Sequence, residues 1–96
     1  MVSRQSIEAR RQEILDIAAR YGAHDVRIFG SVARGDAGES SDLDLIVRFE
    51  AGRSLFDHGG LIDDLEELLG IKVDVVSEGG MRDRFRSRVM KEAIPL

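Results

Sequence analysis

The sequence predicts an α/β domain in which helices cover a small, mixed, three-stranded sheet. Short runs rich in valine, isoleucine and phenylalanine alternate with longer stretches that repeat apolar residues every three or four positions. Glycines follow the longer stretches, where a helix is expected to end. A chain of 96 residues suits one compact domain, which we expect to span residues 1–96.

The first half of the chain predicts a helix, a strand, a short helix and a second strand. The first helix is expected at 4–21, because apolar residues recur there at helical spacing and Gly22 follows. The other three elements are expected at 26–29, 31–34 and 43–49, with a polar loop between the last two.

The second half predicts a helix at 54–69, a strand at 72–77 and a final helix at 81–93. The helix at 54–69 begins with the capping pattern of Ser54 and Asp57, but Gly59-Gly60 predicts a bend, a break or a later start. The apolar stripes of the chain predict core positions for Leu55 and for all four phenylalanines, which are Phe29, Phe49, Phe56 and Phe85.

Composition excludes several classes of protein. The formal net charge of −4 and the 43% of hydrophobic residues are typical of a soluble globular chain. The absence of cysteine excludes disulfides and cysteine-ligated zinc. No membrane-spanning run or signal-peptide pattern is visible, so we expect a cytoplasmic protein without a membrane partner. The acidic balance argues against direct nucleic-acid binding.

Two carboxylates stand one residue apart where the second strand begins. Because side chains alternate along a strand, Asp42 and Asp44 are expected on one face together with Ile46 and Arg48. Side chains about 7 Å apart at their bases can converge on one cation. Oxygen ligands without a thiol or imidazole favour Mg²⁺ or Mn²⁺ over Zn²⁺. Taken alone, Asp-Leu-Asp would also fit a solvated turn, since aspartate is common in loops.

A third carboxylate and a glycine-serine turn complete the candidate site. If strand 72–77 pairs beside the second strand, its alternation brings Asp74 to the first two carboxylates. Gly30-Ser31 follows the first strand, where a small residue lets the backbone approach a ligand and helix amides favour an anion. Asp36 stands where a Walker-type phosphate loop requires lysine, which excludes that motif. The pattern therefore predicts nucleotidyl transfer from a metal-bound triphosphate.

The stretch GSVARGDAGESSDLDLIV at 30–47, followed by VDVV at 73–76, resembles the polymerase-β-type nucleotidyltransferase superfamily. The small size makes the chain most similar to the minimal nucleotidyltransferases of that group. The signature of Gly-Ser, ten residues and Asp-x-Asp is met in full, and the resemblance extends over about residues 5–94. It implies a polymerase-β-like nucleotidyltransferase fold.

The resemblance also implies roles for individual residues. It implies that Asp42, Asp44 and Asp74 are catalytic and ligate two Mg²⁺ ions, or Mn²⁺, and that Asp74 can accept the proton of the attacking hydroxyl. The residues implied for nucleotide binding are Gly30, Ser31, Arg34 and Ser41. For Arg34, an external salt bridge to Asp36 or Glu39 is an equal alternative.

Many minimal nucleotidyltransferases are antitoxins paired with a HEPN-domain ribonuclease toxin. The resemblance therefore implies AMP transfer from ATP to a tyrosine of such a toxin, with release of pyrophosphate. The chain has no room for the helical acceptor domain of larger relatives, so its acceptor pocket is expected to be open or completed by another protein or a second copy.

Two alternatives stay open at the level of sequence. One is an antitoxin that neutralises its toxin by binding alone, and the other is a nucleotidyltransferase acting on a small molecule. Three clustered like charges favour the enzyme, because they repel each other and a pure binder has no use for them. The arginines of the last helix fit either a solvated face or a patch for an acidic partner or RNA.

Overall fold

The computed structural model describes residues 2–36 and 42–96. Within these ranges the elements are α1 (Arg4–Glu8), α2 (Arg11–Arg20), β1 (Ala23–Phe29), α3 (Gly30–Arg34), β2 (Leu43–Phe49), α4 (Leu55–Leu69), β3 (Val73–Ser77), a 3-10 turn (Glu78–Gly80), α5 (Asp83–Glu92) and β4 (Ile94–Pro95). The predicted α/β class with a mixed sheet is confirmed. The predicted number of strands is wrong by one, because β4 joins the sheet.

The four strands lie in the order β3-β2-β1-β4. Strand β2 runs antiparallel to β1 and parallel to β3. The added strand β4 has two residues and pairs with Arg27 and Ile28 at the edge of the sheet. Pro95 is tolerated there because an edge strand does not need every backbone N–H for pairing.

One face of the sheet carries the hydrophobic core. Ile28, Leu45 and Val75 are aligned across β1, β2 and β3, and all three are buried. Helices α2 and α4 cover them with an apolar stripe that includes Ile14 and Leu61. This packing agrees with the helical spacing read from the sequence.

The opposite face of the sheet is partly covered by α5. Ile46 lies on this face and is fully buried, and Val89 of α5 is buried outside the core cluster of the other face. Arg27, also on this face, lies 3.9 Å from Glu78, which in turn accepts a hydrogen bond from Arg86 of α5. This face of the sheet is therefore apolar in its middle.

The first predicted helix is divided in two. The expectation of one helix at 4–21 is wrong, because a turn at 9–10 separates α1 from α2. Ser3 and Ser6 form a capping box at the start of α1. The guanidinium of Arg10 donates to the carbonyl of Leu68 at 3.1 Å, a long-range contact that a local pattern does not reveal.

Helix α4 continues through Gly59 and Gly60 without interruption, so the predicted break or later start is wrong. A side chain at Gly60 would overlap the ring of Tyr21, whose hydroxyl donates to Asp64 at 2.6 Å. Glycine at this position therefore serves helix packing. None of the helices in the described ranges is long and apolar enough to cross a membrane.

Three residues expected in the core are exposed. Leu55 is 85% exposed and Phe56 is 91% exposed, because both lie in the first turn of α4, before that helix reaches the core at Leu61. Phe85 is 48% exposed, since Val89 is the buried residue of α5. Their predicted core positions are wrong.

The two adjacent glycines of α4 give a matched test of the packing between α4 and Tyr21. We expect Gly60→Ala to lower the free energy of unfolding by about 1 kcal/mol or more, because the added methyl overlaps the Tyr21 ring. We expect Gly59→Ala to raise it by up to about 1 kcal/mol, since no atom lies within 4 Å and alanine favours a helix. Urea denaturation of both variants measures the difference, and equal shifts would contradict the Tyr21 contact.

Candidate active site

Asp44 and Asp74 are direct partners across the parallel strands β2 and β3. Neighbouring strands lie about 4.8 Å apart, and paired residues project to the same face of a sheet. Phe29 of β1 continues the row on the other side of Asp44. Asp42 precedes β2 by one residue and is exposed, as is Asp74, whereas Asp44 is half-buried. The chain thus brings three carboxylates to one end of the sheet.

Burial on the opposite face fixes this register. Leu43, Leu45 and Val47 of β2 are buried, and so are Val73 and Val75 of β3. A slip of one residue would turn the apolar set outward and carry the aspartates into the core. The alternation that buries the strands is therefore the cause of the carboxylate pairing.

Gly30 brings the backbone of α3 against Asp44. Its φ is +72°, a conformation that other residues rarely adopt. A Cβ at Gly30 would also collide with Oδ2 of Asp44. Ser31 follows in the first turn of α3, where backbone N–H groups have no acceptor within the helix. The backbone of Gly30 thus lies directly against the Asp44 carboxylate.

The electrostatics of Asp44 reflect its neighbours. Burial raises the pKa of Asp44 above its ordinary value, the charges of Asp74 and Asp42 raise it further, and the charge of Arg34 opposes them. A cation among these oxygens would relieve the repulsion, and the donor set is one that Mg²⁺ or Mn²⁺ accepts.

The three carboxylates do not enclose a metal as they are placed. Among residues 2–36 and 42–96, no three His, Asp or Glu side chains are close enough to form a metal-ligand cluster. Asp42 and Asp74 are exposed, so their side chains can change rotamer without disturbing the core. The donors therefore fit a divalent cation in chemical type.

Arg34 is held by two carboxylates at the end of α3. Its Nε donates to Asp36 at 3.2 Å, and its Nη1 lies 3.5 Å from Glu92 of α5. The hydrogen bond to Asp36, more than the charge of Glu92, keeps the pKa of Arg34 above its usual value. The salt bridge to Asp36 that the sequence allowed is present. Its alternative partner Glu39 and the predicted nucleotide ligand Ser41 lie outside the described residues.

Two neighbours of the site carried no recognised sequence signal. Phe29 was predicted to be core, yet it is half-buried beside Asp44, and the alternation of β1 could have placed it on that face. Glu92 reaches Arg34 from 58 positions further along the chain, and no local pattern indicates that contact.

Comparison with known proteins identifies the family. The model of the nucleotidyltransferase domain matches residues 11–96. This chain belongs to the nucleotidyltransferase domain family. A solved structure provisionally described as a minimal nucleotidyltransferase is 55% identical to the chain, covers 99% of it and 97% of its own length, and superimposes with a TM-score of 0.90. The chain is therefore a minimal nucleotidyltransferase and an enzyme of the transferase class.

Two named relatives are similar to this nucleotidyltransferase over most of its length. Protein adenylyltransferase MntA of Thermococcus cleftensis is 35% identical over 82% of the chain and 80% of its own length. A Methanocaldococcus jannaschii protein, provisionally named a protein adenylyltransferase, is 36% identical over 93% of the chain and 96% of its own length. A toxin-antitoxin structure with AMP-PNP has the same fold, with a TM-score of 0.76, 19% identity, and coverage of 88% of this chain and 69% of its own.

The raised pKa of Asp44 gives a stability test that needs no substrate. A carboxyl with a higher pKa in the folded than in the unfolded state destabilises the fold as the pH rises from the unfolded to the folded pKa, and the effect is complete above the folded pKa. We therefore expect Asp44→Asn to raise the melting temperature at pH 7 in buffer with a chelator. The gain should disappear below the unfolded value of 3.8, where Asp44 is protonated in both states.

The matched control for this test is Asp63→Asn, on the exposed side of α4. This variant should leave the melting temperature nearly unchanged at both pH values. Asp63 faces water on α4, which covers the face of the sheet opposite to Asp42 and Asp74. An Asp44→Asn variant that melts below the parent protein at pH 7 would show that carboxylate repulsion does not act at this position.

Proposed function

We propose that the chain is a Mg²⁺-dependent protein adenylyltransferase that transfers AMP from ATP to a tyrosine of a HEPN-domain toxin and so neutralises it. The observation that carries this proposal is the contact of Asp44 with both Asp74 and Gly30. This contact joins a cation-binding carboxylate pair to a backbone turn that accepts an anion. The curated relatives named protein adenylyltransferase support the same reaction.

The chemistry assigned to the site is an in-line displacement. The tyrosine oxygen forms a bond to the α-phosphorus of ATP, the bond from that phosphorus to the bridging oxygen breaks, and pyrophosphate leaves. Asp74 accepts the proton of the tyrosine hydroxyl. Mg²⁺ held by Asp42, Asp44 and Asp74 would offset the charge on the attacking and leaving oxygens.

The remaining site residues hold the nucleotide in this proposal. Gly30 and Ser31 present backbone N–H groups to the triphosphate, because α3 begins there. Arg34 exchanges part of its contact with Asp36 for a phosphate oxygen, which is a stronger partner for a guanidinium than an exposed carboxylate. Ser41 is proposed as a further nucleotide ligand from the family motif alone.

A protein acceptor is supported by the openness of the site. Asp42 and Asp74 are exposed, and the chain places no further domain over them within the described ranges. A small acceptor usually needs a pocket that buries most of its surface. The toxin-antitoxin structure with the same fold was determined with AMP-PNP, which supports a nucleotide and a toxin as the two ligands of this fold.

Labelled ATP tests the reaction directly. The purified chain, Mg²⁺, ATP labelled at the α-phosphate and the product of the neighbouring gene are expected to give a labelled protein. We expect Asp42→Asn, Asp44→Asn and Asp74→Asn each to lower the rate of labelling on the order of 10³-fold, the loss of several kcal/mol of metal-borne stabilisation. A chelator should abolish labelling.

The control in this experiment is complex formation, measured by gel filtration with the same variants. Each aspartate variant should still bind the partner, because the aspartates act on the nucleotide. If the partner is neutralised without labelling, and equally by Asp44→Asn, the chain acts as a binding antitoxin. If only a small molecule is labelled, the proposed acceptor class is wrong.

Alanine substitutions at Gly30 and Gly35 distinguish steric crowding at the site from backbone strain. Both have a positive φ, of +72° and +81°, so alanine is strained at either position. Only at Gly30 would the new methyl strike Asp44, whereas no atom of residues 2–36 and 42–96 lies within 4 Å of a methyl placed at Gly35. We expect Gly30→Ala to lower labelling at least about 100-fold, as small displacements of catalytic groups do, and Gly35→Ala to lower it far less. Equal losses would assign the effect to strain alone.

A further inference from the structure

The last helix has the opposite charge to the rest of the chain. Residues 82–92 contain five basic and two acidic residues, a net charge of +3, while the whole chain carries −4. The other residues therefore carry −7. An acidic protein with five of its 14 basic residues within 82–92 has a strong local field there, which favours an acidic partner.

An apolar recess lies within this basic surface. It is lined by Arg82, Arg84, Phe85 and Arg88, has a volume of about 190 Å³, and includes a phenylalanine that is 48% exposed. Aromatic and arginine side chains are the residues most enriched at the energetic centres of protein interfaces. We call these four residues the Phe85 surface.

The arginines of the Phe85 surface are not used inside the described fold. Arg86 pairs with Glu78, which ties α5 to the sheet. By contrast, no carboxylate of residues 2–36 and 42–96 lies within the 4.0 Å salt-bridge distance of Arg82, Arg84 or Arg88. Val89 is the buried residue of α5, so most of the outer side of this helix faces solvent. The charge and the apolar recess are both available to a partner.

We propose that the Phe85 surface docks an acidic, apolar-centred patch of the protein that receives AMP, an inference that rests on the proposed function. Phe85 would fill a pocket of that partner while the arginines pair with its carboxylates. Helix α5 also reaches the catalytic end of the sheet, because Glu92 contacts Arg34. Seven residues of helix separate Phe85 from Glu92, or about 10 Å, so a docked protein can present a hydroxyl to Asp74.

Two other occupants are less compatible with these charges. A second copy would bring the same basic helix to a two-fold interface, where like charges repel. RNA would place phosphates near Asp42, Asp44 and Asp74, and its backbone does not need an apolar recess. An acidic protein patch satisfies both the arginines and Phe85.

The experiment measures binding and turnover separately, with the product of the neighbouring gene as the probe. We expect Phe85→Ala to weaken the dissociation constant about 10- to 100-fold in calorimetry. Phe56→Ala is the matched control, because Phe56 is 91% exposed on α4 and should change the constant less than about twofold. Circular dichroism confirms that both variants remain folded.

A charge variant provides an independent readout. Arg88→Glu should weaken binding about 10-fold at about 0.05 M salt, and the difference should shrink near 0.5 M, where exposed charges are screened. Arg4→Glu on α1, whose side chain is also exposed, should leave binding unchanged. In AMP transfer, Phe85→Ala should raise KM for the partner and leave kcat close to that of the parent protein.

Each result bears on one of the two proposals. Labelled partner with unchanged affinity in Phe85→Ala and Arg88→Glu overturns the docking surface and keeps the adenylyltransferase. A complex that depends on Phe85 but is never labelled keeps the docking surface and overturns the proposed function. Absence of a complex, a dimer of the chain that Phe85→Ala dissociates, or RNA binding that Arg88→Glu abolishes would each overturn the docking surface.

Discussion

Buried side chains on one face of the sheet hold Asp44 and Asp74 side by side on the other face. Unit charges about 5 Å apart near a protein surface repel by about 1 to 3 kcal/mol. Burial of a single leucine or valine contributes about 1.5 to 3 kcal/mol, and β2 and β3 together bury several. The core therefore outweighs the repulsion and keeps the carboxylates in a position that favours a cation. The buried face of the sheet therefore fixes Asp44 and Asp74 relative to each other.

The architecture follows from patterns that the sequence displays locally. Alternation in β2 and β3 and the cap at Ser54 are properties of neighbouring residues, and the structure has them as predicted. The errors concern contacts between distant residues. Gly60 lets α4 pack against Tyr21, 39 positions away, and β4 forms because Pro95 meets Arg27. No local pattern contains such information, which is why the break in α4 and the number of strands were predicted wrongly.

The candidate site was more predictable than the fold around it. Strand alternation relates Asp42 to Asp44, and the pairing of β2 with β3 relates Asp44 to Asp74. Their placement at one end of the sheet could therefore be predicted once β2 and β3 were taken as neighbours. The motif also indicates Gly30, but its reason is visible only in three dimensions, where any side chain would strike Asp44. The contact of Glu92 with Arg34 depends on how α5 crosses the sheet and could not be inferred from the pattern of α5 alone.

Under the two proposals, helix α5 would join the recognition of a partner to the end of the sheet that carries Asp44 and Asp74. The exposed ion pair of Glu92 with Arg34 contributes little to stability, whereas Val89 is buried and Arg86 pairs with Glu78, whose side chain is 15% exposed. A helix with so little buried surface gains stability when another protein covers it. Because Glu92 at its end restrains Arg34, a partner that fixes α5 also fixes the arginine proposed to contact phosphate. Docking and nucleotide alignment would then be energetically coupled through one salt bridge, without any change in the buried strands.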